Sequence, residues 1–130
     1  MAVPQAIHSF DPLVTAPAAA RRFAVATLRS WELDALAETV ELLVSEVITN
    51  AVVHAETGGS MSMRWIDGVV RVEVTDGGRG AVVARHPGPN EVTGRGMALV
   101  ESLARQWGVF VPDSSDHKTV WFEVDAQPST

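Results

Sequence analysis

The chain has 130 residues, of which 46% are hydrophobic and 20% charged, a balance typical of one soluble globular domain. Its net charge of −6 argues against direct nucleic-acid binding, no apolar run reaches the roughly 18 residues of a membrane span, and the sequence contains no cysteine for disulfides. We therefore expect a cytoplasmic protein with one domain over residues 1–130, frayed at 1–5 and 126–130, and no membrane contact.

The first part of the chain predicts a strand followed by a helix. Residues 6–10 have the composition of a short edge strand before the Asp11-Pro12 break. Thr15 is the expected N-cap of a helix through residue 30, since Pro17 suits the first helical turn and Ala, Leu and Arg favour helix. Two adjacent arginines, Arg21 and Arg22, lie on this helix.

A second helix, predicted from a cap at Asp34 to about residue 56, carries two polar side chains among apolar ones. Glu46 and Asn50 are four residues apart, so only about 40° separates them around an α-helix and both point the same way. Apolar residues flank the pair, Leu43 and Val47 on one side and Leu42 and Val53 on the other. Burying a charge there is costly unless something pairs with it.

Two interpretations of this polar pair are open from the residues alone. The amide oxygen of Asn50 suits Mg²⁺, which accepts a few protein oxygens beside phosphates and water, and Glu46 could then orient or deprotonate a nucleophile. The alternative is a structural Glu–Asn hydrogen bond on a core helix. His54, further round the same helix, is interpreted as a packing residue.

The middle of the chain predicts a β-hairpin that ends on a carboxylate. Residues 60–66 and 69–75 have strand composition, and Asp67-Gly68 between them suits a tight two-residue turn. In the second strand three valines alternate with polar residues, and the same alternation places Asp76 on the valine face. A carboxylate on that face indicates a ligand or another hydrogen-bond donor that contacts it, unless the strand bends at its end and exposes the side chain.

Residues 76–93 form an irregular stretch that is typical of a functional loop or lid, with one glycine cluster near its start and a second just after its end. Gly78 and Gly80 follow the strand, and Gly94 and Gly96 precede a helical pattern. Backbone N–H groups at such sites can approach a phosphate closely, although each cluster alone could simply mark a turn. Neither cluster has the spacing of a P-loop or of a dinucleotide fingerprint.

The end of the chain predicts a strand pair, at residues 109–111 and 119–124, joined through residues 112–118. Four tryptophans are spread one per segment and are interpreted as packing residues. The chain has no Gly-x-Ser-x-Gly, His-Glu-x-x-His or cysteine nucleophile, which disfavours the common hydrolase mechanisms.

Three motifs in this order resemble the Bergerat-fold ATPases, the superfamily of gyrase, histidine kinases and mismatch-repair ATPases: Glu46-x-x-x-Asn50, Asp76-x-Gly78-x-Gly80 and Gly94-Arg95-Gly96-Met97. More narrowly, five stretches look like the small ATP-binding regulators of actinobacteria that are similar to anti-sigma factor serine kinases: Ala20-Arg-Arg-Phe23, Glu41-Leu-Leu-Val-Ser-Glu46, Thr49-Asn-Ala-Val52, Gly94-Arg-Gly-Met-Ala-Leu-Val100 and Lys118-Thr-Val-Trp-Phe122. The resemblance covers most of the chain, from about Phe10 to Val124.

The resemblance implies a two-layer α/β (α+β) sandwich, the Bergerat ATP-binding fold, in which helices cover one face of a mixed, mostly antiparallel sheet and ATP binds under a lid. Glu46 would be the catalytic base or water-orienting carboxylate, Asn50 would bind Mg²⁺, and Asp76 would accept a hydrogen bond from the adenine amino group. Further ATP contacts are implied for Gly78 and Gly80 on the adenine side, Gly94, Arg95, Gly96 and Met97 at the phosphates, and Thr119 near the adenine. In the lid, Arg85 and His86 are candidates for contacts with the γ-phosphate.

For function, the resemblance implies an ATP-dependent protein serine/threonine kinase that binds a sigma factor, phosphorylates a serine on an STAS-type anti-anti-sigma protein and forms a homodimer. Arg21 or Arg22 is the candidate partner contact. One alternative is a catalytically silent, nucleotide-dependent binding regulator of transcription. Another is a detached histidine-kinase catalytic domain, which would place phosphate on a histidine of its partner.

Overall fold

The computed structural model describes residues 3–55, 58–77, 99–111 and 117–126. Five strands lie in these ranges: β1 Gln5–Phe10, β2 Gly59–Ile66, β3 Val69–Asp76, β4 Gln106–Phe110 and β5 Lys118–Asp125. They form one sheet in the order β1-β2-β3-β5-β4, and every neighbouring pair is antiparallel. Strand β5 pairs with β3, and β4 lies at the edge of the sheet beyond β5. The antiparallel pairing places the start of β5 opposite the end of β3.

Helical residues occur in three segments of the described chain. Helix α1 spans Ala16–Ser30, and the second segment changes type along its length, from a 3-10 helix at Asp34–Leu36 through helix α2 at Ala37–Asn50 to a π-helix at Ala51–Ala55. Helix α3 is described over residues 99–103. In the described part of the chain, no helix has the length and apolar character to cross a membrane.

The predicted α/β fold is confirmed, together with the two long helices, the hairpin and the terminal strand pair. Thr15 is the N-cap residue of α1, as predicted, whereas the prediction that Asp34 is an N-cap is wrong. Thr15 precedes α1 without a side-chain hydrogen bond to it, and Asp34 is already the first residue of the 3-10 helix. A carboxylate in a first helical turn still interacts favourably with the positive end of the helix dipole, which accounts for Asp34 at this position.

The turn between β2 and β3 has the conformation that its sequence predicts. Asp67 and Gly68 both have positive φ angles, 50° and 78°. Positive φ at both central residues matches the right-handed twist of the flanking strands, and Asp followed by Gly tolerates it better than most pairs. The turn therefore fixes the register in which Gly59 pairs with Asp76 at the other end of the hairpin.

The helices pack on one face of the sheet, which we call the covered face. Its buried side chains come from three central strands: Met61, Met63, Val70, Val72, Val74, Val120, Phe122 and Val124. The helices contribute a matching apolar surface: Ala20, Ala24, Leu28, Val40, Leu43, Val44, Val47 and Ile48. Since strand side chains alternate between faces, the intervening residues lie on the opposite, outer face.

The outer face carries a charged network centred on Arg71. Its Nε donates a hydrogen bond to Glu73 at 2.7 Å, its Nη1 donates one to Glu123 at 2.9 Å, and its guanidinium lies 4.1 Å from the ring centre of Trp121. Burial lowers the pKa of Arg71, but the hydrogen bonds and charges of the two glutamates outweigh it, so the pKa is raised above its ordinary value. A Cβ at Gly108 would lie 2.8 Å from the Trp121 ring, so glycine lets the indole lie across β4.

Candidate functional site

The polar pair on α2 lies at the border between the core and the surface. Asn50 is buried and is the last residue of α2, whereas Glu46, one turn earlier, is half-buried. Of the four apolar residues that flank the pair, Leu43 and Val47 are buried, whereas Leu42 and Val53 are 41% and 52% exposed. The amide therefore points inward while the carboxylate stays within reach of a ligand that approaches from outside.

A regular helix places both groups on one side of α2, as their spacing predicts. The π-helix begins directly after Asn50. Single π-helical turns inside α-helices are rare and are often found at functional sites. The change of helix type thus marks the same position that the buried amide does.

Asp76 is the last residue of β3, and its side chain lies on the covered face, 2% exposed, in line with Val70, Val72 and Val74. The placement predicted from the alternation of β3 is confirmed. Across the strand pair it faces Lys118, whose Nζ lies 3.6 Å from Asp76 Oδ2 and which is itself only 9% exposed. A buried carboxylate is costly unless it is paired, and Lys118 offsets part of that cost.

Sequence reasoning missed Lys118, although a signal was present. Lys118 precedes by one residue the strand predicted at 119–124, and extending the alternation back from Phe122 and Val120 puts it on the covered face. Its partner could not be read from the sequence, because the contact depends on the pairing of β3 with β5, which are 42 residues apart at this position.

Gly59 holds β2 close to Asp76. It pairs with Asp76 in the register of β2 and β3, and a Cβ at this position would collide with the carbonyl oxygen of Thr75 and lie 3.0 Å from the Cα of Asp76. Gly58 has a similar role toward β1, where a Cβ would collide with the carbonyl oxygen of Phe10. The two glycines are therefore required for close strand packing next to the site.

The end of the second helical segment and the end of β3 lie at the same end of the molecule. Ala55, which ends the π-helix, is three positions before Gly58, so the chain can span at most about 11 Å between them. Gly59 then pairs directly with Asp76. The buried amide of Asn50 and the buried carboxylate of Asp76 are therefore both placed where the helical layer meets this end of the sheet.

Thr119 lies on the outer face, not on the face of Asp76. Its hydroxyl is 2.8 Å from the hydroxyl of Thr75, with which it pairs across the strands. On β5, the side chain on the covered face next to Asp76 is that of Lys118. Lys118 is therefore better placed than Thr119 to act at a ligand bound by Asp76, and the predicted contact of Thr119 with adenine stays a prediction.

Other predicted site residues lie outside the described residues and stay predictions: Gly78, Gly80, Arg85, His86, Gly94, Arg95, Gly96 and Met97. The same holds for the side chain of His54. The two arginines on α1 differ from each other. Arg21 donates a hydrogen bond from Nη1 to Ser45 Oγ at 3.0 Å and so ties α1 to α2, whereas Arg22 is exposed.

A family model described as a histidine kinase-like ATPase domain matches residues 10–122. The match extends from the last residue of β1 into β5 and includes both long helices, so the chain belongs to the family of histidine kinase-like ATPase domains. The superfamily predicted from the three sequence motifs is confirmed, and the chain is an ATP-binding domain.

Proposed function

We propose that this histidine kinase-like ATPase domain is an ATP-dependent protein serine kinase that also acts as an anti-sigma factor. In this proposal it forms a homodimer, phosphorylates a serine on an STAS-type anti-anti-sigma protein and sequesters a sigma factor, with the exposed Arg22 and the neighbouring Arg21 as partner contacts. The observation that carries the proposal is the buried carboxylate of Asp76, at the end of the sheet where α2 delivers Asn50. The sequence motifs similar to those of anti-sigma factor serine kinases give the finer assignment.

In the proposed site, Asp76 accepts a hydrogen bond from the adenine amino group. A buried carboxylate on an apolar face is a strong and directional acceptor, because water does not compete with the donor there. Lys118, whose Nζ lies 3.6 Å from Asp76 Oδ2, orients this carboxylate. The adenine would then lie against the covered face, and the phosphates would extend toward α2.

At the phosphate end, an amide and a carboxylate one turn apart on α2 form the proposed reaction centre. The amide oxygen of Asn50 fits Mg²⁺, a cation that keeps several waters and takes one or two protein oxygens beside the phosphates. When bound, Mg²⁺ neutralises negative charge on the transferred phosphoryl group. Glu46 accepts the proton of the serine hydroxyl. The serine oxygen bonds to the γ-phosphorus of ATP, and the bond from the γ-phosphorus to the leaving oxygen of ADP breaks.

The first experiment tests the adenine contact. Asp76→Asn keeps the size of the side chain but removes the charged acceptor, so we expect ATP affinity to fall by about 10- to 100-fold, since a hydrogen bond to a charged group contributes about 1.5–3 kcal/mol. The measurement is a calorimetric ATP titration. Glu73→Gln, on the outer face of the same strand, is the matched control and should bind ATP normally. Equal affinity in Asp76→Asn and wild type would remove Asp76 from the pocket.

The second experiment separates catalysis from nucleotide binding. Glu46→Gln should lower the rate of phosphate transfer to the partner by about 10²–10⁴-fold, the usual contribution of a general base, while ATP affinity changes little. The measurement follows labelled γ-phosphate into the co-purified partner, with exposed Glu101→Gln as control. An unchanged transfer rate in Glu46→Gln would contradict the role of Glu46.

The same assay distinguishes the proposal from its alternatives. Acid-stable phosphate on a serine supports the kinase, whereas acid-labile phosphate on a histidine would identify a detached histidine-kinase catalytic domain. If the wild-type chain binds ATP and its partner but transfers no phosphate, it is a nucleotide-dependent binding regulator without catalysis.

A further inference from the structure

A groove of about 650 Å³ lies over the outward side of α2, within the size range of binding sites. Helix α2 lines it with Glu38, Glu41, Leu42 and Ser45, and the neighbouring helices contribute Arg21 from α1 and Leu103 from α3. The groove therefore lies between α1, α2 and α3, and its described lining includes neither Asp76 nor Lys118.

The apolar part of the groove consists of two leucines from different helices. Leu42 is 41% exposed and Leu103 is 43% exposed. Covering such side chains favours association, because each Å² of apolar surface removed from water contributes about 25 cal/mol. Two half-exposed leucines that line one concave surface indicate a site for an apolar side chain of a partner.

The polar part of the groove has an excess of negative charge. It contains two carboxylates, Glu38 and Glu41, and neither forms an ion pair within the part of the chain that the structure describes. Among the described residues that line the groove, the cation is Arg21, and it donates a hydrogen bond to the hydroxyl of Ser45. A groove with two carboxylates against one guanidinium attracts a basic partner and repels an acidic one.

The position of the groove connects it with the proposed reaction centre. Glu46 directly follows Ser45 and is one turn beyond Leu42, about 6 Å along the helix axis. The acidic residues lie further away, with Glu38 about 12 Å from Glu46 along the same axis. A protein segment in the groove would thus run from the carboxylates, over Leu42 and Leu103, toward Glu46.

We infer that this groove binds a segment of the phosphoacceptor protein that carries a lysine or arginine against Glu38 and Glu41 and an apolar side chain against Leu42 and Leu103. The segment brings the acceptor hydroxyl to Glu46, with its basic residue about 8–12 Å from that hydroxyl. This inference rests on the proposed function and adds the chemistry by which the protein substrate is recognised. Charge selects the segment and steers it into the groove, and the leucines retain it.

The test uses a fluorescein-labelled peptide of leucine and lysine at helical spacing, and a counterpart with glutamate in place of lysine. Fluorescence anisotropy measures the binding of each peptide to the full chain without ATP. We expect the lysine peptide to bind about tenfold more tightly than the glutamate peptide, and Glu38→Lys/Glu41→Lys to reverse that preference. Leu103→Ser should weaken the binding of both peptides. Glu101→Lys, an exposed charge reversal on the same helix as Leu103 but outside the groove, is the matched control.

Two results would overturn the inference: equal affinity of wild type for both peptides, or the same loss in Glu101→Lys as in Glu38→Lys/Glu41→Lys. The outcome is separable from that of the proposed function, because peptide binding is measured without nucleotide. Failed ATP and phosphotransfer assays beside the expected peptide preference would remove the kinase proposal alone. Active phosphotransfer whose KM for the protein substrate does not change in Glu38→Lys/Glu41→Lys would remove the groove alone.

Discussion

The two faces of the sheet carry charge in opposite ways. On the covered face, a carboxylate and an ammonium group lie almost fully buried, Asp76 and Lys118, 3.6 Å apart. On the outer face, Arg71 binds two glutamates at 2.7 and 2.9 Å, with side chains that are 20–27% exposed. The outer contacts are shorter and more numerous, but water screens them, so the Coulomb attraction at a given distance is weaker there than in the interior.

This difference shows which charges call for a functional explanation. A partly exposed ion-pair network is common on the solvent side of a sheet and contributes little to stability. A buried ion pair is costly to form, and replacing it with apolar residues is often neutral or stabilising. The buried pair at the end of β3 is therefore the feature of the sheet that packing alone does not account for.

The largest expected difference between the faces concerns two neighbours on β5. Phe122 is fully buried on the covered face, whereas Trp121 lies half-buried on the outer face beside Arg71. We expect Phe122→Ala to lower the free energy of unfolding by about 4 kcal/mol, because it leaves a cavity in the core. Trp121→Ala removes mainly the cation–π contact with Arg71 and packing at the solvent-facing side of the sheet, so the free energy of unfolding should fall by about 1 kcal/mol. Urea denaturation of both variants measures the two values, and equal losses would contradict the assignment of covered and outer faces.

An intermediate effect is expected from two glycines. In Gly59→Ala the new methyl group meets backbone at the end of β3, so we expect a loss of about 2 kcal/mol and weaker ATP binding through displacement of Asp76. In Gly108→Ala it meets the Trp121 ring, a side chain that can move, and the loss should be smaller with ATP affinity unchanged. Thermal unfolding and ATP titration of both variants provide the comparison. Normal ATP affinity in Gly59→Ala would show that the spacing of β2 and β3 does not position Asp76.

The smallest effect is expected at the centre of the outer network. Arg71→Met removes two ion pairs and the contact with Trp121, yet the free energy of unfolding should fall by only about 1 kcal/mol, since each group is partly solvated. The difference from wild type should shrink at high salt, which screens the charges that wild type retains. Denaturation of both proteins at low and high ionic strength measures this difference. A large loss of stability in Arg71→Met that salt does not change would mean that the network behaves as a buried one.

Local sequence patterns predicted much of this structure because they report local geometry. Alternation along β3 was sufficient to place Asp76 on the covered face, and Asp67-Gly68 was sufficient to predict the turn. The spacing of Glu46 and Asn50 likewise fixed their common direction on α2.

What the sequence left undetermined depends on distant parts of the chain. The contact of Lys118 with Asp76 and the close approach at Gly59 both arise from strand pairing, which local periodicity does not specify. Thr119 shows that a shift of one residue along a β-strand changes the face on which a side chain lies. Of the two neighbours Lys118 and Thr119, Lys118 shares the face of Asp76. The exposure of Leu42 could not be predicted either, because it depends on which elements pack beside α2.

The π-helix at Ala51–Ala55 has a further consequence for variation in chain length. Its hydrogen bonds span five residues where an α-helix spans four, so this turn accommodates one residue more than an α-helical turn does. A deletion of one residue here can be absorbed by a return to α-helical winding, with Asn50 before the turn and the pairing of Gly59 after it both preserved. The same deletion between Glu46 and Asn50 would turn one residue relative to the other by about 100° around the helix axis.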